Sequence, residues 1–427
     1  MKRRTLLKAS LAFGAASLMR QTHANQGRAI IVGGGWGGLA AARQLKLLAP
    51  ALDITLIERN GSFWSHPLSN RWLVGLADGK ALKHDYHAAA QKQGYRFLQA
   101  EVLEIDRQQR TVTTSSGKLG YDWLTLATGI GEDFSAWYGV DRDAGAFTRQ
   151  HFPSAFCDND GHQRLKAKLE NFKGGDLVMT IPAAPYRCPP APYERAGMIA
   201  WWMKTRRIKG RLIVLDPNLP ALGFDRVFRD SYREQISYLP QAQVKQIDPY
   251  KKRIVTDFET IDFDDAILMP PQQASGLIWR AGLIAQDKDG RPTGWAAHDP
   301  VHLHVPGDER VFLVGDILDK SSPLFGYYPK TGQLAARLGQ IAARQIAARA
   351  SEQAPPKLLP DSSCHILNRV EPMEIARLDT SYRLRGDGLI QQTVKQSYDP
   401  QPDNNDIRWA QAMFAELGLQ SDTWQGS

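Results

Sequence analysis

Two groups of residues in this 427-residue sequence are of types that do chemistry. The first is a run of glycines, Gly33, Gly35 and Gly38, spaced G-x-G-x-x-G, with Glu58 following Gly38 by 20 residues. Glycines in this spacing let a backbone approach a pyrophosphate at a helix N-terminus, and an acid at that remove accepts from a ribose hydroxyl. The second group is the three cysteines, Cys157, Cys188 and Cys364. A thiolate is a nucleophile, and a thiol pair carries two electrons. No two cysteines are spaced C-x-x-C, so the chain encodes neither a zinc ribbon nor the C-x-x-C-H of covalent haem. Three cysteines allow three single pairings, each leaving one over. A structural disulfide or buried thiols stand beside a redox pair as readings.

The elements that must position these groups read as an α/β fold. Arg28–Val32 is a short apolar strand leading into the glycines; an Ala/Leu-rich helix follows over 39–48, and a second strand over 53–57 ends at Glu58. Further along, the strand at 121–129 ends in Thr128-Gly129, and the strand at 310–316 ends in Gly315-Asp316. These two segments resemble the distal FAD motifs of flavoproteins with two dinucleotide domains. The resemblance implies FAD, with Asp316 at its ribityl or pyrophosphate region; a turn-capping role is the alternative for Asp316. The helix expected over 331–350 would aim its N-terminal dipole, with Lys330 beside it, at negative charge on the reduced cofactor. A second Rossmann-like unit should open with the strand at 175–182, and a nicotinamide site would need a glycine-rich turn directly after it. Residues 183–196 instead hold four prolines, Cys188 and no glycine. Proline removes donors and fixes φ, so this loop cannot cradle a pyrophosphate in that way. NAD(P)H is therefore not expected as a partner, and thiol or sulfur chemistry is expected at Cys188.

Composition bounds the rest. With 43% hydrophobic and 23% charged residues the chain is globular and long enough for two or three domains. Its net charge of +8 invites a nucleic-acid reading, but Lys2, Arg3, Arg4, Lys8 and Arg20 lie in the first 24 residues, which contain no acid, so the remainder keeps 8 − 5 = +3. Nucleic acid is not expected as a partner. Those 24 residues read as a basic segment, a short apolar stretch and the small-residue cleavage site Thr22-His23-Ala24. Arg3-Arg4 resembles a twin-arginine signal, which implies export of a folded, cofactor-loaded protein to the periplasm.

The segment Pro185-Tyr-Arg-Cys-Pro-Pro-Ala-Pro-Tyr-Glu-Arg-Ala196, with Pro270-Pro-Gln-Gln-Ala274, Gly294-Trp295, Gly315-Asp316 and Pro329-Lys330, resembles the flavoprotein subunit of flavocytochrome c sulfide dehydrogenase. That family lies within the sulfide:quinone oxidoreductase and disulfide reductase-like superfamily, and the resemblance covers residues 28–427. It implies a redox-active disulfide between Cys188 and Cys364 on the substrate side of FAD. Sulfide, as HS⁻, would attack it to give a persulfide and a thiolate, and electrons would leave singly to a c-type cytochrome subunit carrying the haem. Glu194 matches the family position of a carboxylate near the flavin and is the candidate base; a salt bridge to Arg195 or Arg187 is its alternative. Cys157 falls where the family requires no cysteine. Where the family often carries a flavin-linking cysteine, before Pro-Leu-Ser-Asn, this chain has His66. That excludes a thioether and favours non-covalent FAD, with an 8α-histidyl link through His66 as the alternative. Related readings are another sulfur substrate, as in flavoproteins of thiosulfate-oxidation systems, a quinone acceptor, or a non-catalytic flavin-binding partner subunit.

The expected organisation is a signal at 1–24, an FAD domain from 25–145 and 265–350, a second Rossmann-like domain at 146–264 lacking its glycine loop, and a C-terminal α+β interface domain at 351–427. His298, His302 and His304 lie close together, and strand alternation would put His302 and His304 on one face. Lacking a supporting Cys or Asp set, they are read as solvent-facing, and no metal site is assigned. Trp201-Trp202 and Tyr327-Tyr328 are read as core or interface aromatics. The tail at 407–417 reads as an amphipathic helix packed on the protein, without membrane association.

Overall fold

The computed structural model describes residues 27–419 apart from 155, 157, 158 and 222. The segment at 1–24, expected to be an export signal, and Cys157 lie outside the described residues. The first sheet has six strands, in the order His304–Val305, Asp308–Leu313, Trp123–Leu126, Arg28–Val32, Asp53–Glu58, Arg96–Gln99, and only the first of these pairs antiparallel. Its central strands are apolar along their length because both faces are covered, as a parallel sheet requires. The first helix, Trp36–Leu48, starts inside the glycine run and takes in Gly37 and Gly38. A Cβ on Gly38 would meet the Gly33 oxygen at 1.8 Å, so only glycine permits this helix to leave the strand at that angle.

The long helix Gly332–Ala350 packs against the first helix. A Cβ on Gly339 would lie 2.1 Å from the Gly37 oxygen, which is why the two axes can approach so closely. Both helices begin at the same end of the sheet, and both N-termini face one cleft. The second domain is a four-stranded parallel sheet, ordered Ile236–Pro240, Lys209–Asp216, Gly174–Thr180, Asp265–Ile267. Its fourth strand therefore comes from just beyond the expected boundary at 264. The C-terminal part is a three-stranded antiparallel sheet, Ser362–Arg369, Glu374–Leu384 and Ile390–Tyr398, followed by the helix Asn405–Glu416. That helix closes back on the FAD domain. Phe414 stacks at 5.4 Å on Trp36, and Arg71 and Asp406 form a buried bidentate pair at 2.6 and 2.9 Å. No described helix is long and apolar enough to cross a membrane. Trp202 and Tyr328 are in the core, while Trp201 and Tyr327 are half-buried against it.

Candidate functional site

A cleft of about 1430 Å³, including its open mouth, runs from Glu58 past both helix N-termini to the two cysteines. At the Glu58 end the Gly34 N–H donates to Oε2 (2.9 Å), while the Asn60 side chain donates to Oε1 (2.7 Å). The carboxylate thus sits against the glycine turn. The three glycines divide the work. Gly33 has φ of +102°, and a Cβ there would meet the Ala127 oxygen at 2.4 Å; Gly33 and Gly38 shape the turn. Gly35 lines the cleft with nothing within 4 Å of its Cβ position, so it leaves room for a ligand. Open backbone at a helix N-terminus, a second N-terminus beside it and an acid at the far end fit an elongated dinucleotide such as FAD.

Other expected cofactor residues divide as well. Gly129 and Asp316 line the cleft. Asp316 accepts from Arg187 Nε at 2.7 Å, and Arg187 also donates through Nη1 to the Phe156 oxygen at 2.7 Å. Thr128 does not line it; its hydroxyl is taken by Ser275 at 2.6 Å. Lys330 is a correction. Its ammonium points away from the cleft, donating to the carbonyls of Asp316 (2.8 Å) and Leu318 (3.0 Å) above the Trp295 ring at 3.5 Å. A buried ammonium needs acceptors, and these carbonyls are the ones within reach. Burial pushes its pKa down to about 7 against the pull of Asp316 and Asp319. The backbone of Lys330 matters instead: its carbonyl accepts from Cys188 N–H at 2.6 Å and ties the proline-cysteine loop to the FAD domain.

Cys188 holds φ of +51°, an uncommon conformation for a residue with a Cβ, just before the helix Ala191–Thr205. Cys364 lies on the strand Ser362–Arg369, beside Thr331 at the cap of the long helix. Both cysteines line the same cleft as free thiols, so the disulfide implied by the resemblance is not formed in this structure. Burial raises the Cys188 pKa, and the Cys364 sulfur adds to the rise. Burial likewise pushes Cys364 up to about 12, outweighing a hydrogen bond with Thr331 that lowers it. Desolvation therefore opposes thiolate formation at both cysteines, and forming one calls for a proton acceptor at hand.

Glu194 is a carboxyl group on the same cleft wall. It stands in the first turn of the helix Ala191–Thr205 and lines the cleft with both cysteines. Its Oε1 accepts from the Leu367 N–H (2.9 Å) and its Oε2 from Asn70 Nδ2 (2.8 Å). The ion pair to Arg187 or Arg195 weighed from sequence does not form: Arg187 pairs with Asp316, and Arg195 donates through Nε to Asn70 Oδ1 (3.0 Å) and covers the Phe156 ring at 4.0 Å. Burial pushes the Glu194 carboxyl up to about 7, against hydrogen bonds from Leu367 and Asn70 that lower it. Such a group exchanges protons at neutral pH.

His66 lines the cleft beneath the Phe156 ring, at an interplanar angle of 11°, with no hydrogen-bond partner for Nε2 among the described residues. Burial, then the positive charge of Arg187, hold its pKa well down, so it is a neutral imidazole. Sequence reasoning missed Arg71, Asp406, His365 and Trp409, all on the cleft wall. It also missed His162, buried 5.1 Å from His66 and pushed down to about 3 by burial and by Arg195 and Arg187. The tail helix was read as amphipathic, and only its fold back over the cleft makes Asp406 and Trp409 part of the site. At 298–304, the face shared by His302 and His304 is made by a turn, not by strand alternation. His298 turns inward to Ser321, and the carboxylate thought to be lacking is present in Asp299.

Residues 162–270 match the family described as sulfide dehydrogenase (flavocytochrome c) flavoprotein chain, central, and residues 27–165 match pyridine nucleotide-disulphide oxidoreductase. The sulfide-quinone reductase of Aquifex aeolicus is 25% identical over 337 residues, covering 74% of this chain and 75% of that one. A probable ferredoxin reductase of Castellaniella defragrans is 35% identical over 313 residues, covering 70% and 69%. The solved sulfide:quinone oxidoreductase of Aquifex aeolicus superposes with a TM-score of 0.71 at 20% identity, covering 93% of each chain, and so has the same fold.

Proposed function

The chain belongs to the sulfide dehydrogenase and sulfide:quinone reductase-like flavoproteins of the pyridine nucleotide-disulphide oxidoreductase fold, and we propose that it oxidises sulfide at Cys188 and Cys364 and passes the electrons through FAD. One observation carries this reading: two thiols and a carboxyl of near-neutral pKa share the wall of one cleft. FAD, bound without a covalent link along the Gly35 side of the cleft, supplies a two-electron acceptor there. Joining as a disulfide, the two thiols release two electrons and two protons; FAD, when bound, would take the electrons and one proton, and Glu194 the other. Arg195, buried behind the cleft wall, stays cationic at neutral pH although burial pushes it down to about 9, and its charge reaches Glu194 and Cys188. This favours HS⁻ as the entering species. With the cysteines joined as a disulfide, HS⁻ adds to one sulfur, the S–S bond breaks, and a persulfide forms on one cysteine and a thiolate on the other.

The acceptor in this reading is a c-type cytochrome subunit in the periplasm. The match over 162–270 to a flavocytochrome c flavoprotein chain supports it. A quinone acceptor is the second reading, supported by the similarity to sulfide-quinone reductase over three quarters of the chain. Sulfide-dependent turnover of the purified FAD-loaded protein is measured with a c-type cytochrome and with a soluble quinone. Reduction of cytochrome alone supports the first reading and of quinone alone the second. Turnover of either that persists in Cys188→Ser and Cys364→Ser would remove the thiols from the reaction.

A further inference from the structure

We propose that Asp299, His302 and His304 form a binding site for a divalent transition-metal ion of the zinc class, on the FAD domain and separate from the thiol cleft. One ligand atom from each residue lies within 4.8 Å of the other two. His302 Nδ1 and Asp299 Oδ1 are 3.2 Å apart. At that distance Nδ1 can donate to the carboxylate, as the second ring nitrogen of a ligating histidine commonly does, and this orients the His302 ring. The His302 and His304 rings lie nearly parallel, at 12° and 5.9 Å between centroids, so they present their edges to one side. His304 Nδ1 lies 3.0 Å from the Val305 carbonyl, which can only accept. The proton is therefore on Nδ1, and Nε2 keeps its lone pair for a metal, an arrangement by which ligating histidines are commonly oriented.

The loop that carries the three residues is built to hold them. Asp299 N–H donates to the His304 oxygen (2.8 Å), and Leu303 N–H donates to the Asp299 oxygen (2.8 Å). The amides of Val301 (2.9 Å) and His302 (2.7 Å) both donate to Asp299 Oδ1, which anchors the carboxylate and leaves Oδ2 outside those bonds. Between the two histidines Leu303 adopts φ of +64° with its side chain buried, and this left-handed step turns residues 302 and 304 to the same side. The side chains of Asp299 and His302 are 35% and 25% exposed, so an ion can reach them and they can close the remaining gap. Two imidazoles and one carboxylate select borderline transition metals over magnesium or calcium, and three protein ligands leave a fourth position for water.

The test uses untagged, chelator-stripped, FAD-loaded protein. Zinc binding is measured by calorimetry, and cobalt, substituted as a spectroscopic probe, by its absorption. His304→Gln and Asp299→Asn are compared with the unaltered protein. The asparagine can still accept the two turn amides, and FAD content and circular dichroism report that both variants fold. The expected result is one nitrogen/oxygen-ligated ion per chain, bound at least about 10-fold more weakly in each variant, since even partners one shell further out are worth about 10–100-fold. Equal zinc affinity and stoichiometry in all three proteins would overturn the site. So would a cobalt spectrum showing only sulfur-to-metal charge transfer, which would place the ion on cysteines. Sulfide turnover plays no part in this readout, so failure of the sulfide reading leaves the metal site standing, and the reverse also holds.

Discussion

Replacing Glu194 by glutamine removes the proton acceptor while changing little else in shape. In the folded protein, burial raises this carboxyl from an ordinary 4.5 to about 7. At 1.36 kcal/mol per pH unit, that is about 3 kcal/mol held against its charged form. The folded value lies above the unfolded one. The group therefore favours folding most below about 4.5, and that contribution is lost as pH rises through about 7. In catalysis the same position means that the base form fills as pH rises through neutrality. Glutamine can still accept from Leu367 N–H, but its NH₂ would face Asn70 Nδ2, costing one hydrogen bond of about 1 kcal/mol. The variant should fold, keep FAD and still be reduced by dithionite. Its sulfide-dependent rate of flavin reduction should fall by about 10²-fold or more, the usual worth of a positioned base. The rise of that rate through a pKa near 7 should vanish, leaving only the ionisation of sulfide itself, which is common to both proteins. Stopped-flow reduction across the neutral pH range reads both effects. A Glu194→Gln protein within about threefold of the original rate, with an unchanged pH profile, would refute the assignment of Glu194 as the base, since that is far below the contribution of a general base.

Other consequences are as direct. Gly38→Ala should prevent folding or strongly destabilise the protein, because its Cβ would meet the Gly33 oxygen at 1.8 Å, whereas Gly35→Ala should fold normally and weaken FAD retention, since its Cβ enters the open cleft. Unfolding curves together with flavin content separate these two outcomes. Asp406→Asn leaves the buried Arg71 guanidinium without its counter-charge, and should cost about 3–5 kcal/mol in urea unfolding; a loss under about 1 kcal/mol would mean that the pair does not pin the tail helix. Acid precipitation should release all FAD from both the unaltered protein and His66→Ala, and a flavin that stays with the unaltered pellet alone would place a covalent bond on His66.

The parts legible in the sequence were those fixed by local spacing. The strand, glycine turn, helix and second strand ending at Glu58 lie within 31 consecutive residues, 28–58, and their geometry follows from which positions cannot carry a Cβ. The cleft-lining role of Asp316 is local in the same sense, set by a strand end and a tight turn. Lys330 shows where such reading stops. Its place beside a helix N-terminus was foreseeable, but its side-chain direction was not, because that depends on which carbonyls a buried ammonium can reach. The meeting of Cys188 with Cys364 depends on a C-terminal strand folding back over the cleft and was reached only through family resemblance. Glu194 does line the cleft, yet its partners, Asn70 and the backbone of Leu367, are 124 and 173 residues away. Asp406 precedes the tail helix expected over 407–417, and nothing local in the sequence points to its pairing with Arg71. Asp299 was in plain view between His298 and His302, but strand alternation was the wrong geometry for judging which side chains converge.

The central claim is that sulfide delivers electrons to FAD through Cys188 and Cys364. An anaerobic titration of the purified FAD-loaded protein with sulfide, followed in the flavin absorbance bands, tests it most directly. The expected result is stoichiometric bleaching in the unaltered protein and none in Cys188→Ser or Cys364→Ser, with dithionite still reducing all three. A flavin that ignores sulfide but accepts electrons from dithionite, or one that bleaches equally without either cysteine, would contradict the account.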